Sequence, residues 1–175
     1  KNGLIEKTAT GYRLAPKGLA YVDRVNVDKL FIRNQPKIIT MLVIQNSDGD
    51  ILLSKRDKQP YIDQWTLPYG KLHISDESIE AAAGREAYEK LGLKDQSLVH
   101  AGDCYIRVKS NGHILSSTLA HVFSFNRDDI KPSERLQWFR PHKLSRLELA
   151  PAVEDIMART FFHDPYFFEE FEGAI

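Results

Sequence analysis

GKLHISDESIEAAAGREAYEKLGL, residues Gly70 to Leu93, reads as a glycine loop running into a helix. Ser75 or Asp76 can cap it, Glu77 and Glu80 supply the acidic first turn, and Gly92 ends it. Ile79, Ala82, Ala83, Tyr88 and Leu91 recur as packing positions, which predicts a helix of about four turns. Glu86 and Glu89 lie three apart, and Lys90 follows Glu86 by four, so all three fall near one face. Two carboxylates on one helical edge beside a glycine loop can hold a hard cation against a diphosphate. On spacing alone, a solvated acidic helix face with a nearby lysine explains the same residues.

Working outward, the stretch Ile38 to Ile44 is apolar and β-branched, the reading of a buried strand. The turn Asn46-Ser47-Asp48-Gly49-Asp50 and the run Ile51-Leu52-Leu53 complete a hairpin. Lys55 to Gln64 is a polar loop holding Pro60, and it leads to Trp65-Thr66-Leu67-Pro68. Strands are predicted over Leu98 to Val108 and Ile114 to Phe125, with the Asn111-Gly112 pair suited to a tight turn between them. A shorter strand is predicted from Leu136 to Phe139. Pro151 to about Thr160 carries Val153, Ile156 and Met157 at helical spacing. The aromatic continuation through Phe161, Phe162, Tyr166, Phe167, Phe168 and Phe171 fits core packing or a subunit interface, and with it a homodimer.

At the other end, Leu4-Ile5, a turn at Thr8 to Gly11, Tyr12-Arg13-Leu14 and then Pro16 read as a hairpin followed by a helix over residues 1–24. Val25 to Pro36 reads as a linker to a main domain over residues 37–175. The hairpin and helix resemble the closing half of a winged-helix DNA-binding domain. An N-terminal extension packed on the main domain is the competing reading. The chain starts at Lys1 without a methionine, as a piece of a longer product would, and a recognition helix would have to precede it.

Residues 37 to 160 together resemble the Nudix (MutT-like) hydrolase family. The family pattern is Gly, five residues, Glu, seven residues, Arg-Glu, an aliphatic residue, any residue, Glu-Glu, any residue, Gly and an aliphatic residue. Gly70, Glu77, Arg85-Glu86-Ala87, Glu89, Gly92 and Leu93 match it, and the lead-in WTLPYGK resembles the usual one. The resemblance implies an α/β class, a Nudix-type α/β/α sandwich with a mixed, curved sheet. It implies a pyrophosphohydrolase that cleaves a nucleoside diphosphate linked to another group, with Mg²⁺ or Mn²⁺ as cofactor. By resemblance Glu86 is ligand or general base, Glu89 a metal ligand, the Tyr69 carbonyl a further metal contact, and Arg85 with Glu77 an orienting pair. Glu134 is a candidate ligand or base. Such metals neutralise the diphosphate and activate water for in-line attack.

Three departures are visible. Six residues separate Gly70 from Glu77, Tyr69 replaces the first glycine of a pair, and Lys90 stands in place of the second glutamate. Lys90 puts a cation where a cation should bind, or contacts a phosphate itself. The second functional expectation is therefore a nucleotide-binding sensor without efficient turnover, within a transcriptional regulator. Arg56, Lys71, Lys90 and Trp65 are candidate substrate contacts, and Trp65, Tyr69 and Tyr105 can stack on a base or pack the core. His73, His113 and His121 lack ligand spacing and read as structural, and only His73, in the loop of the Gly70–Leu93 box, is placed to touch substrate. The expected partner is a small nucleotide derivative, its identity set by loops such as Lys55 to Gln64 and Asn126 to Ser133.

Twenty-four basic residues offset twenty-four acidic ones among 175, which argues against nucleic acid as a partner of the chain as given. One cysteine, Cys104, excludes an internal disulfide and a multi-thiolate zinc site. With no apolar run of about 18 residues and no apolar leader at the start, a cytoplasmic protein away from membranes is expected.

Overall fold

Glycine and proline punctuate the chain where the sequence places its turns, and the elements between them are short at the start and long at the centre. The computed structural model describes residues 3–19, 21, 24–26, 31–32, 34–161 and 166–174. The chain divides into two compact units, Lys1–Gln35 and Pro36–Ile175.

In the first unit β1 (Ile5–Thr8) pairs antiparallel with β2 (Gly11–Leu14) across Ala9-Thr10. A single helical turn, α1 (Pro16–Leu19), follows. Gly18 is needed because any Cβ there would meet the Leu4 carbonyl, which also accepts from the Ala15 N–H at 3.0 Å. Among the described residues the expected helix spans one turn, and part of its predicted continuation toward Arg24 lies outside them. The predicted linker holds two short strands, β3 (Val25–Asn26) and β4 (Phe31–Ile32), paired antiparallel.

In the second unit the strands are β5 (Lys37–Gln45), β6 (Ile51–Lys55), β7 (Trp65–Thr66), β8 (Tyr69–Lys71), β9 (Val99–Ser110), β10 (His113–Asn126), β11 (Leu136–Phe139) and β12 (Phe167–Ala174). Helices α2 (Ile79–Leu91) and α3 (Val153–Phe161) complete it, with a 3-10 turn at Pro141–Arg146. The sheet runs β11-β6-β5-β10-β9-β12, with β7 on β6 and β8 on β5. β10 is parallel to β5 and β12 parallel to β9, while the other pairs are antiparallel. Asn111 (φ 50°) and Gly112 (φ 78°) form the tight turn between β9 and β10, the backbone such a hairpin demands.

Alternation along β5 sorts the core into two layers. Ile39, Met41 and Val43 pack with Val153, Ile156 and Met157 of α3, whereas Leu42 and Ile44 pack with Ala83 and Ala87 of α2. Helices therefore cover opposite faces, and the α/β/α sandwich with a mixed sheet is the observed fold. Burying each of these large aliphatic side chains is worth about 1.5–3 kcal/mol.

The aromatic tail packs on the core as one of its two expected uses, with Phe167 inside it and Phe161 and Phe171 against it, but as a strand that spacing did not predict. Tyr166 to Phe171 leads into and forms an edge strand rather than a free aromatic cluster: Phe167 is buried, and the alternate residues face outward. Phe162 lies outside the described residues. Among the described residues no helix is long and apolar enough to cross a membrane.

Candidate functional site

The box helix is held at its start by a residue the sequence reading passed over. Ser78, in extended backbone, caps α2 by accepting the Ala81 N–H at 3.0 Å, so neither Ser75 nor Asp76 is the cap. Glu77 precedes the helix and is exposed. Gly92 ends it in the left-handed region, φ 69°, as expected.

Asp76 is occupied by Arg85. The guanidinium donates a fork to its carboxylate, Nε to Oδ1 at 2.8 Å and Nη2 to Oδ2 at 2.9 Å. It also donates to the Lys71 carbonyl at 3.0 Å and to Glu86 Oε1 at 2.7 Å, with Glu89 Oε2 at 3.4 Å. One planar side chain thereby ties the glycine loop to the helix. The partner expected for Arg85 was Glu77; Asp76 takes that place. Counting five residues from Gly70 reaches Asp76, so the longer loop is absorbed by using the preceding acid. The Arg85 fork, joined by the His73 N–H, holds the Asp76 carboxyl down at about 2, and the same fork pushes Arg85 further above its ordinary value.

Glu86 is buried, 4% exposed, and its carboxylate lies where a Cβ on Gly70 would stand. This loop glycine is thus required for close approach, not for a left-handed backbone. Glu86 Oε2 faces Lys90 Nζ at 3.5 Å. The Lys90 ammonium also donates to the Tyr69 carbonyl and sits 4.9 Å from the Tyr69 ring centroid.

Lys90 therefore occupies the space between two of the three donors that the resemblance assigned to Mg²⁺ or Mn²⁺. Glu89, the third, is half exposed. Like charges at about 4 Å repel by some 4 kcal/mol per unit charge at the effective dielectric of a protein surface. With Lys90 so placed, the donor set does not fit a resident divalent ion.

On the opposite face of the sheet a cavity of about 230 Å³ opens. Tyr69 and Lys71 flank Gly70 in β8, so their side chains point into this cavity while Gly70 faces Glu86. Lys37, Arg56, Lys58 and Lys71 line it with no carboxylate among the lining residues, above a floor that includes Ile39, Met41, Ile106 and Val108. Arg56 donates to the Tyr69 hydroxyl and, through Nε, to the Pro60 carbonyl at 3.0 Å. Its guanidinium carbon stands 5.2 Å from the Tyr69 ring and 5.7 Å from the Tyr61 ring. Tyr61, at φ 72°, is bonded through its hydroxyl to Ser116 Oγ at 3.2 Å. Four cations and two aromatic rings around an apolar floor suit an anion carrying a flat ring.

Arg56, Tyr69 and Lys71 are thus brought together, and Lys90 reaches the same Tyr69 from the α2 side. Trp65 is not part of the cavity: it packs edge-on against Phe139 at 4.8 Å. Glu134 lies exposed in the turn before β11, outside the cavity lining and without a described bond to the box. Tyr105 bonds Ser117 Oγ at 2.9 Å instead. Lys37 was not anticipated, and Lys58 and Tyr61 only as part of the Lys55–Gln64 loop, because they gather with Arg56 only once β5 and the loop before β7 fold together.

A family model described as NUDIX domain matches residues 35–160. The fold is similar to the NUDIX domain of Shewanella oneidensis NrtR solved with ADP ribose, at 14% identity over 82% of this chain and 96% of that one, TM-score 0.60. A mutator MutT protein from Bacillus halodurans is similar at 20% identity, over 78% and 89%, TM-score 0.63. A longer Shewanella oneidensis NrtR chain, solved with a 27mer DNA, is similar at 14% identity and TM-score 0.56, over 70% of this chain but 59% of that one. At these identities the likenesses show the fold.

Proposed function

The chain belongs to the NUDIX domain family, and from that premise we propose that it binds a nucleoside diphosphate linked to another group and responds to it without efficient hydrolysis. Nudix hydrolases generally use divalent metal ions. One observation carries the sensor reading: Lys90 engages both the Tyr69 carbonyl and the Glu86 carboxylate, supplying a positive charge where the family places metal. The cavity supplies the rest. Arg56, Lys58 and Lys71 meet the diphosphate, and Tyr61 or Tyr69 stacks on the base. The ADP ribose bound by the NrtR neighbour supports this ligand class.

Titration calorimetry with ADP-ribose, a nucleotide sugar, a dinucleoside polyphosphate and a nucleoside triphosphate tests the reading, alongside product analysis with Mg²⁺ and Mn²⁺. Binding without turnover is expected, with Arg56→Ala weakening it about 10-fold or more, the worth of a hydrogen bond to a charged group. Absence of binding to all four ligands would refute it.

The hydrolase reading is favoured by a different observation. Lys90 is 43% exposed on its side chain, and its flexible stem can leave, freeing Glu86, Glu89 and the Tyr69 carbonyl as oxygen donors for Mg²⁺ or Mn²⁺. Metal-dependent product formation abolished by Glu86→Gln would establish it. Membership of a cytoplasmic transcriptional regulator belongs to the sensor proposal and draws on the hairpin of residues 5–14 and on the DNA-bound NrtR neighbour. A helix-turn-helix pattern in the coding sequence upstream of Lys1 is its expected companion; a different domain there would remove the DNA-linked version.

A further inference from the structure

Residues three apart in a strand point to opposite faces, so His100 and Asp103 should not meet. They do, because β9 carries a bulge. Gly102 is opposite Val122, but Phe123 is opposite His100, leaving Ala101 as the extra residue. The insertion turns His100 onto the face shared by Asp103 and its cross-strand partner His121. Bulges re-aim side chains in this way, often beside functional sites.

The geometry points to a second site on this face: His100, Asp103 and His121 form a three-ligand seat for a borderline divalent transition ion of the Zn²⁺ type. His100 Nε2 and His121 Nδ1 stand 3.0 and 2.6 Å from Asp103 Oδ1. The three ligand atoms lie within 4.8 Å of one another. Bonds of about 2.0–2.1 Å to a tetrahedral ion set ligand atoms about 3.3 Å apart, so drawing the carboxylate oxygen back by roughly 0.3 Å from His100 and roughly 0.7 Å from His121 admits one. Two imidazoles and one carboxylate favour zinc-like ions over Mg²⁺ or Ca²⁺, which select all-oxygen sets.

The surroundings are those of a prepared seat rather than a chance contact. Tyr166 donates its hydroxyl to the other Asp103 oxygen, Oδ2, fixing the carboxylate from outside as outer-shell partners of metal ligands do. The His100 ring is stacked on Phe123 at 4.8 Å and meets Tyr166 edge-on at 5.4 Å. His121 and Asp103 are largely enclosed, whereas the His100 side chain is 36% exposed, leaving an entry path and an open fourth position for water. The site is separate from the box: in register His121 adjoins Thr40, and Thr40 adjoins Gly70, a span of about 10 Å across the strands.

Untagged, chelator-treated full chain titrated with Zn²⁺ by calorimetry tests this, with Co²⁺ absorption as the spectroscopic probe. One Zn²⁺ per chain at micromolar affinity or tighter is expected, together with the visible bands of four-coordinate Co²⁺ and no competition from millimolar Mg²⁺. His121→Ala and His100→Gln should each lower Zn²⁺ affinity by about 10-fold or more, and Tyr166→Phe by about 10-fold, the usual effect of losing an outer-shell partner. His100 lies at the rim, so its variant decides the matter even where His121→Ala does not fold. No Zn²⁺ uptake, or uptake unchanged by His100→Gln, would overturn the proposal.

Discussion

Two clusters of ionisable side chains lie on the α2 face of the sheet, and they are assembled by different devices. At α2 the helical repeat brings Arg85, Glu86, Glu89 and Lys90 side by side, and Gly70 lets the helix edge touch the loop. Along β9 and β10 nothing in the spacing brings His100 to Asp103; the extra residue Ala101 does so. Helical sites are therefore written in local sequence, while strand sites depend on a register that only the pairing partner sets. The contrast extends to charge. The α2 cluster contains its own permanent cation, whereas the strand cluster presents ligands.

Gly70 is where a single substitution costs the α2 cluster most. Gly70→Ala sets a methyl group onto the Glu86 carboxylate, and overpacking combined with displacement of a buried charge should cost about 3 kcal/mol or more in urea denaturation. A loss under about 1 kcal/mol would mean that the loop and helix are not in close contact. Beside the strand cluster but on the opposite face of β9, the matching change is Gly102→Ala, whose Cβ would meet Phe167. A loss of about 2 kcal/mol is expected, with hydrogen exchange accelerated in β12 ahead of β5. Arg85→Lys keeps the charge and loses the fork. Its expected cost is about 1 kcal/mol, measured by the same denaturation.

The smallest effect is on pH dependence. Asp76, whose carboxyl is held at about 2 rather than 3.8, favours the folded state when ionised. That contribution is complete above about pH 4 and fades as pH falls toward 2. The difference in thermal midpoint between the natural chain and Asp76→Asn should accordingly be present at neutral pH and narrow through this window. A gap that stays constant down to pH 2 would show that Asp76 acts through packing alone.

Much of this was legible in the sequence. The strands at 37–45, 51–55, 99–110, 113–126 and 136–139 follow from β-branched runs and turn residues, and the helix from Ala82, Ala83 and Gly92, whereas Tyr88, read with them as a packing position, is exposed. Phe167 to Ala174 was not recognised as a strand, since dense aromatics on an edge also suit a core or an interface. At the site, spacing placed Glu86 and Lys90 on one helix face and the family resemblance singled them out, but neither pointed to the cavity. Lys37, Lys58 and Tyr61 approach Arg56 through tertiary contact, and the choice of Asp76 over Glu77 depends on how one extra loop residue is accommodated. Trp65 illustrates the reverse case, an aromatic beside the box whose partner is Phe139.

Whether Lys90 takes the place of a metal is read from titration of the chain with ADP-ribose in chelator and in Mg²⁺, before and after Lys90→Glu. The natural chain should bind with affinities that agree within about 2-fold in the two conditions, while Lys90→Glu should bind about 10-fold or more tightly with Mg²⁺ than without. Binding by the natural chain only when Mg²⁺ is present, or Mg²⁺-dependent cleavage of the ligand, would contradict the account.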